Sequence, residues 1–184
     1  MSTLDNRPNT ALLVVDVQRS VIDESINGEA VVQTIDGLVS RARDAGTPVV
    51  WVQHSDDEMP IDSDGWQLAA PLAPSGEEPV VHKRHGDSFE GTDLEEQLAA
   101  LQVGSLVVAG AQTDACIRST LHGAFARGYD ATLVEDAHTT SDMRQWVPGL
   151  PAPEQVIAHT NTYWSFQSAP GRKAGVVKAA DVTF

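Results

Sequence analysis

Three residues of reactive type fall at comparable places along this chain. Asp16 follows the apolar run "ALLVV" at 11–15, Lys83 follows "PVVH" at 79–82, and Cys116 lies inside "VVAGAQTDACIRST" at 107–120. The apolar runs are short, β-rich and without polar alternation, as strands buried on both faces must be. Each reactive residue therefore falls at or just beyond the carboxyl end of a strand, the edge at which open α/β sheets bind ligands. With Thr113 as a helix cap, Cys116 falls in the first helical turn, where unpaired N–H groups and the helix dipole favour a thiolate. A carboxylate can take the thiol proton, an ammonium can hold both anions in register, and backbone N–H groups can bind an oxyanion. That combination performs acyl transfer. Taken singly, each residue has an ordinary role: a turn-capping Asp, a solvated Lys, and a Cys packed as a small hydrophobe.

The elements that would position these groups are legible from pattern. After the first strand, Val32, Ile35, Val39 and Ala42 make one helical face, and Gly46 is placed as a stop. Pro48 opens a second strand, "VVWVQ" at 49–53, and the third runs into Lys83. "TDLE" at 92–95 reads as a capping box before the stripe Leu94, Leu98 and Leu101. "SLVVAG" is the fourth strand, followed by a helix with Ile117, Leu121, Ala124 and Phe125 on one face and Gly128 at its end. "ATLVED" is the fifth strand, 154–164 a helix, and "AGVVKAADV" a weaker sixth strand. This alternation predicts a three-layer α/β/α fold, Rossmann-like, with a mostly parallel six-stranded central sheet. No linker-like segment divides the chain, so 1–184 is expected to be one domain.

The 26 acidic residues outnumber 12 Lys and Arg, giving a net charge of −14. Such a surface repels phosphates and argues against nucleic acid and anionic membranes as partners. The longest apolar runs are about a quarter of the ~20 residues of a membrane span, and no basic stretch precedes an apolar one as in a secretory signal. One cysteine allows no internal disulfide, which fits a reducing, cytoplasmic setting. The segment 55–78 stands out: Asp56, Asp57, Glu58, Asp62, Asp64, Glu77 and Glu78 occur with no Lys or Arg. A loop this long within a domain is functional or disordered. Trp66 and Leu68 suggest that it is tied down; its acids read first as the solvated surface of an acidic protein, and alternatively as a rim that draws cationic ligands toward the strand ends.

The stretches "LLVVDVQ", "VVHKRHGDSFEGTDLEEQL" and "VVAGAQTDACIRSTLHGAFARGYDATLVEDA" together resemble the isochorismatase-like cysteine hydrolases, which include nicotinamidase and N-carbamoylsarcosine amidohydrolase. The resemblance runs from about residue 10 to about residue 161. It implies the isochorismatase-like hydrolase fold and a catalytic triad of Asp16, Lys83 and Cys116. It also implies a non-proline cis peptide at Ala111–Gln112, with the N–H groups of Gln112 and Cys116 as the oxyanion hole. Members commonly assemble as dimers or tetramers, so a homo-oligomer is expected. Some open the lactam of a basic streptothricin-type antibiotic, which would suit an acidic rim.

The departures from the pattern narrow the chemistry. Nicotinamidases carry a metal-binding Asp and two His around the second strand, whereas "WVQHSDDEMP" holds His54 alone. His54 is expected to orient or support, with no metal and no cofactor. The chain has "QRSV" at 18–21 where nicotinamidases tend to have "QNDF", losing the aromatic residue that packs on a pyridine ring. The branch cleaving the vinyl ether of isochorismate typically lacks the cysteine. The expectation is thus a metal-independent amidase cleaving a C–N bond of a small amide, carbamoyl or lactam substrate through a thioester at Cys116. His54, Trp66 and Phe89 are candidate substrate-binding residues, Phe89 with core packing as an equal alternative. Two other readings stay open: a redox sensor whose low-pKa Cys116 forms a sulfenic acid, and a catalytically idle binding module.

Overall fold

A computed structural model describes residues 2–184. The strands are β1 (Asn9–Val15), β2 (Val49–His54), β3 (Val80–Lys83), β4 (Val103–Ala111), β5 (Asp130–Thr139), β6 (Ser168–Ala169) and β7 (Arg172–Val177). They form one sheet in the order β3-β2-β1-β4-β5-β7-β6, parallel throughout except for the β6–β7 hairpin. The helices are α1 (Arg19–Asp23), α2 (Gly28–Asp44), α3 (Leu94–Ala100), α4 (Arg118–Arg127) and α5 (Pro153–Ser165).

β1 lies at the centre, between β2 and β4, and alternate residues feed opposite layers. Ala11, Leu13 and Val15 pack in one cluster with Leu98 of α3, Leu121 of α4 and Trp164 of α5. Leu12 and Val14 pack in the other with Val32, Ile35 and Val39 of α2. This is why "ALLVV" shows no polar alternation: all five side chains are fully buried. The predicted helical faces of α2 and α4 are the buried ones. Among the described residues no helix is long and apolar enough to cross a membrane.

Four expectations are corrected. The sheet has seven strands rather than six, because the two-residue β6 pairs antiparallel with β7 at the edge. The weak C-terminal strand begins at Arg172 and ends at Val177, and 179–181 turns into a 3₁₀ segment. No capping box forms at 92–95: the helix cap is Asp93, without a side-chain bond, while the Thr92 hydroxyl donates to the Ser88 carbonyl at 2.6 Å. Thr113 is likewise no cap. It begins a π-helical turn, Thr113–Ile117, that precedes α4. Its hydroxyl instead pairs with buried His138 Nδ1 at 2.8 Å, a partner from β5 that no local pattern shows.

The acidic segment 55–78 is fastened to the sheet. The Gln18 side chain donates to the Trp66 carbonyl at 2.9 Å, Gln53 donates to the same carbonyl at 3.1 Å, and Ala69 N–H donates to Val17 O at 2.9 Å. Its acids are also partly answered: Glu78 pairs with Arg43, Asp64 with Arg19, and Asp57 with Arg84.

Candidate active site

Parallel register brings the carboxyl ends of β1 to β4 together. Val15 stands beside Val52 on one side and Gly110 on the other, and His54 beside Lys83. β1 is the switch point of the sheet, since its neighbours β2 and β4 lead away in opposite directions. Asp16 leaves β1 with φ at +50°, a left-handed turn that Asp tolerates better than most residues. Gly110, at φ +131°, lies so close to β1 that a Cβ would overlap the Val15 carbonyl oxygen. Glycine there lets the two strands approach just before both reactive turns.

Asp16, Lys83 and Cys116 meet. Lys83 Nζ lies 2.6 Å from Asp16 Oδ2 and donates to Cys116 Sγ at 3.2 Å and to the His85 carbonyl at 3.0 Å. The Asp16 and Lys83 side chains are sealed from solvent, and Cys116 is the partly exposed member. A π-helical turn carries Cys116, a form that recurs at functional sites because it re-aims side chains within a helix. The peptide bond Ala111–Gln112 is cis, as the resemblance implied. The Gln112 carbonyl is occupied by the N–H groups of Ala115 and Ile117.

The electrostatics follow from burial and pairing. Burial, the largest single influence, would strip the proton from Lys83, but Asp16 and Cys116 together outweigh it and raise the ammonium pKa. Burial raises Asp16 despite Lys83. Burial, followed by the Asp16 charge, pushes the Cys116 thiol up to about 12, with Lys83 opposing. The helix-start position taken alone favours a thiolate, and desolvation with the neighbouring carboxylate outweighs it. These directions favour an ammonium at Lys83 and a thiol at Cys116.

His54 joins the trio. Its Nδ1 lies 3.4 Å from Lys83 Nζ and its Nε2 3.1 Å from Asp56 Oδ2. Trp66 is buried at the root of the acidic loop, its ring 5.4 Å from that of His82. Phe89 sits in the core instead, with Tyr129 at 5.6 Å and the Arg127 guanidinium over its face at 4.7 Å. Two supporting residues were missed in the sequence. Gln18 accepts from His54 N–H at 2.8 Å and donates to His54 O at 2.9 Å, latching the end of β2 to β1. Its signal was its place two residues after Asp16 in "VDVQ". His138 is buried, and burial lowers its pKa, keeping it neutral between Thr113 and Asn161. Nothing local marked it.

Among the described residues no group of three or more His, Cys, Asp or Glu side chains is gathered as a metal ion would need. The model of the isochorismatase domain matches residues 10–160. The chain belongs to the isochorismatase family. Two streptothricin hydrolases of Streptomyces noursei are 33% and 32% identical over 97% and 95% of the chain, which spans 72% and 64% of their lengths. An N-carbamoylsarcosine amidase of Arthrobacter sp. is 31% identical over 66% of the chain and 47% of its own length. Among solved structures, an isochorismatase of Pseudomonas putida KT2440 superposes with a TM-score of 0.84 at 25% identity, covering 95% of this chain and 90% of that one. Family membership makes the protein an isochorismatase-family hydrolase.

Proposed function

We propose that this hydrolase cleaves a C–N bond of a small amide, carbamoyl or lactam substrate, without a metal, through a thioester at Cys116. The observation that carries the reading is the buried contact set of Lys83, 2.6 Å from Asp16 Oδ2 and 3.2 Å from Cys116 Sγ. The substrate carbonyl oxygen sits against the N–H groups of Gln112 and Cys116, which stabilise it as negative charge develops. Asp16 takes the thiol proton as Sγ attacks the carbonyl carbon. The tetrahedral adduct collapses as the C–N bond breaks, and Asp16 returns the proton to the departing nitrogen. Water then attacks the thioester with Asp16 as base, the acid is released, and Sγ regains a proton.

Lys83 stays an ammonium throughout. It faces a carboxylate at rest and a thiolate during attack, so charge moves within a neutral cluster instead of being created in it. The raised thiol pKa suits this cycle, because the sulfur ionises only as it attacks. It speaks against a sensor thiol, which requires a thiolate at neutral pH. Relatives named as a hydrolase of streptothricin and as an amidase fit the same bond class. We also propose a homo-oligomer, dimer or tetramer.

The test is turnover of a panel of primary amides, carbamoyl amines and cyclic amides, with mass spectrometry of the quenched enzyme. A substrate acyl group on Cys116 in the wild type, and no turnover by Cys116→Ala, is the expected result. Full turnover by Cys116→Ala would overturn the reading.

A further inference from the structure

Lys83 has three N–H bonds and four neighbours: Asp16 Oδ2 at 2.6 Å, His85 O at 3.0 Å, Cys116 Sγ at 3.2 Å and His54 Nδ1 at 3.4 Å. An ammonium only donates, so the His54 nitrogen facing it must be the one with a lone pair. The ring proton is then on Nε2, directed at Asp56 Oδ2 3.1 Å away. Asp56 is itself fixed, its other oxygen accepting from Glu58 N–H at 2.9 Å and Met59 N–H at 2.7 Å. The Met59 N–H foremost, with His54 among the smaller causes, holds its carboxyl below the ordinary range, so it stays anionic. The His54 backbone is gripped on both sides by Gln18. The ring is therefore held in one tautomer and one place.

Resting on the reading of Asp16, Lys83 and Cys116 as the reacting groups, the geometry points to His54 as a positioning residue that holds the Lys83 ammonium only as the free base. Protonation would put an N–H on Nδ1, so that two donors and two positive charges face each other across 3.4 Å. His54 must then turn away or Lys83 must shift, and Lys83 carries both the base and the nucleophile. The ionisable groups that face His54 are Lys83 from β3, Asp16 after β1 and Asp56 from its own loop, with Cys116 on the far side of Lys83. Only Lys83 resists the added proton. Turnover should therefore have an acid limb that follows the protonation of His54.

Two measurements test this. In the first, the His54 imidazole is titrated by NMR in the wild type and in Lys83→Met. Removing the ammonium should move its titration to higher pH, because a like charge no longer opposes the proton. Identical titrations would overturn the inference, and this arm requires no turnover. In the second, kcat/KM is followed from pH 5 to 9 on whichever panel amide is hydrolysed. The wild type should fall toward acid by up to about tenfold per pH unit, the slope of one ionisation. His54→Asn, which keeps an acceptor but cannot titrate, should lose that limb relative to its own alkaline plateau. An unchanged limb in His54→Asn would assign it to Asp16 and overturn the inference. Turnover by Cys116→Ala would instead overturn the nucleophile assignment, leaving the NMR result standing.

Discussion

The Lys83 ammonium and the Asp16 carboxylate lie 2.6 Å apart, and neither side chain reaches solvent. Apart from Lys83 and the Cys116 thiol, no donor among the described residues meets the Asp16 oxygens. Removing either partner leaves a buried charge without its counter-ion, which destabilises a fold by about 3–5 kcal/mol. Lys83→Met and Asp16→Asn should each lower Tm and cut turnover by at least ~10²-fold, the usual contribution of a general base. The double variant should lose less stability than the sum, because neither charge is then stranded. Additive losses by thermal denaturation would show that the two groups are not coupled. Wild-type turnover in either single variant would break the proposed triad.

Cys116 is a small, partly exposed side chain at the edge of the core. Cys116→Ser and Cys116→Ala should fold with Tm close to that of the wild type and lack turnover, since a small residue is exchanged for a small one. Far-ultraviolet circular dichroism with the amide panel checks both halves. Residual activity at the wild-type level would place the nucleophile elsewhere.

Gly110 is the position at which the fold and the site are joined. Its φ of +131° is one that L side chains rarely adopt, and a Cβ would overlap the Val15 carbonyl. Gly110→Ala should therefore push β1 and β4 apart at the ends that carry Asp16 and Cys116, and lower both Tm and turnover. A variant as stable and active as the wild type would mean that the strands accommodate the methyl group, and that their close approach does not set the site.

The pattern that made the layers legible was burial. "ALLVV" lacks alternation because both of its faces are hidden, the α2 and α4 stripes carry the period of a helix with one hidden face, and the alternation of strands with helices left few ways to wind them. What could not be read was held by partners distant in sequence. Thr113 has the chemistry of a cap, but His138, 25 residues on, takes its hydroxyl, and the chain forms a π-helical turn instead. The environment of the thiol was hidden for a related reason. The helix-start position is local and visible, whereas the burial and the Asp16 charge that raise the pKa exist only once β1, β3 and β4 are side by side. The acidic loop looked uniformly negative because Arg19, Arg43 and Arg84 lie outside it in the sequence and beside it in the fold.

His54 with Asp56 offers at most part of a metal site. Dialysis against EDTA should accordingly leave turnover of a panel amide unchanged, and added zinc should not raise it. Loss on chelation with recovery on zinc addition would require ligands beyond these two and would remove the metal-independent assignment.

The thiol itself gives the most discriminating measurement, because turnover and alkylation should respond to the same substitution in opposite directions. With the pKa pushed up to about 12, the thiolate fraction near neutral pH is minute, and it grows as pH rises toward that value. Iodoacetamide should therefore label Cys116 roughly 10³-fold more slowly than free cysteine at about pH 7.5, by the gap between the two pKa values. The rate should climb about tenfold per pH unit up to pH 10 without a plateau. Asp16 raises the thiol pKa and Lys83 lowers it. Asp16→Asn should therefore label faster than the wild type although it cannot turn over, and Lys83→Met should label more slowly. Equal labelling in all three would show that neither charge reaches the sulfur. Fast labelling that is flat from pH 6 to 8 would mean a resting thiolate, and with it the sensor-type reactivity that the geometry argues against.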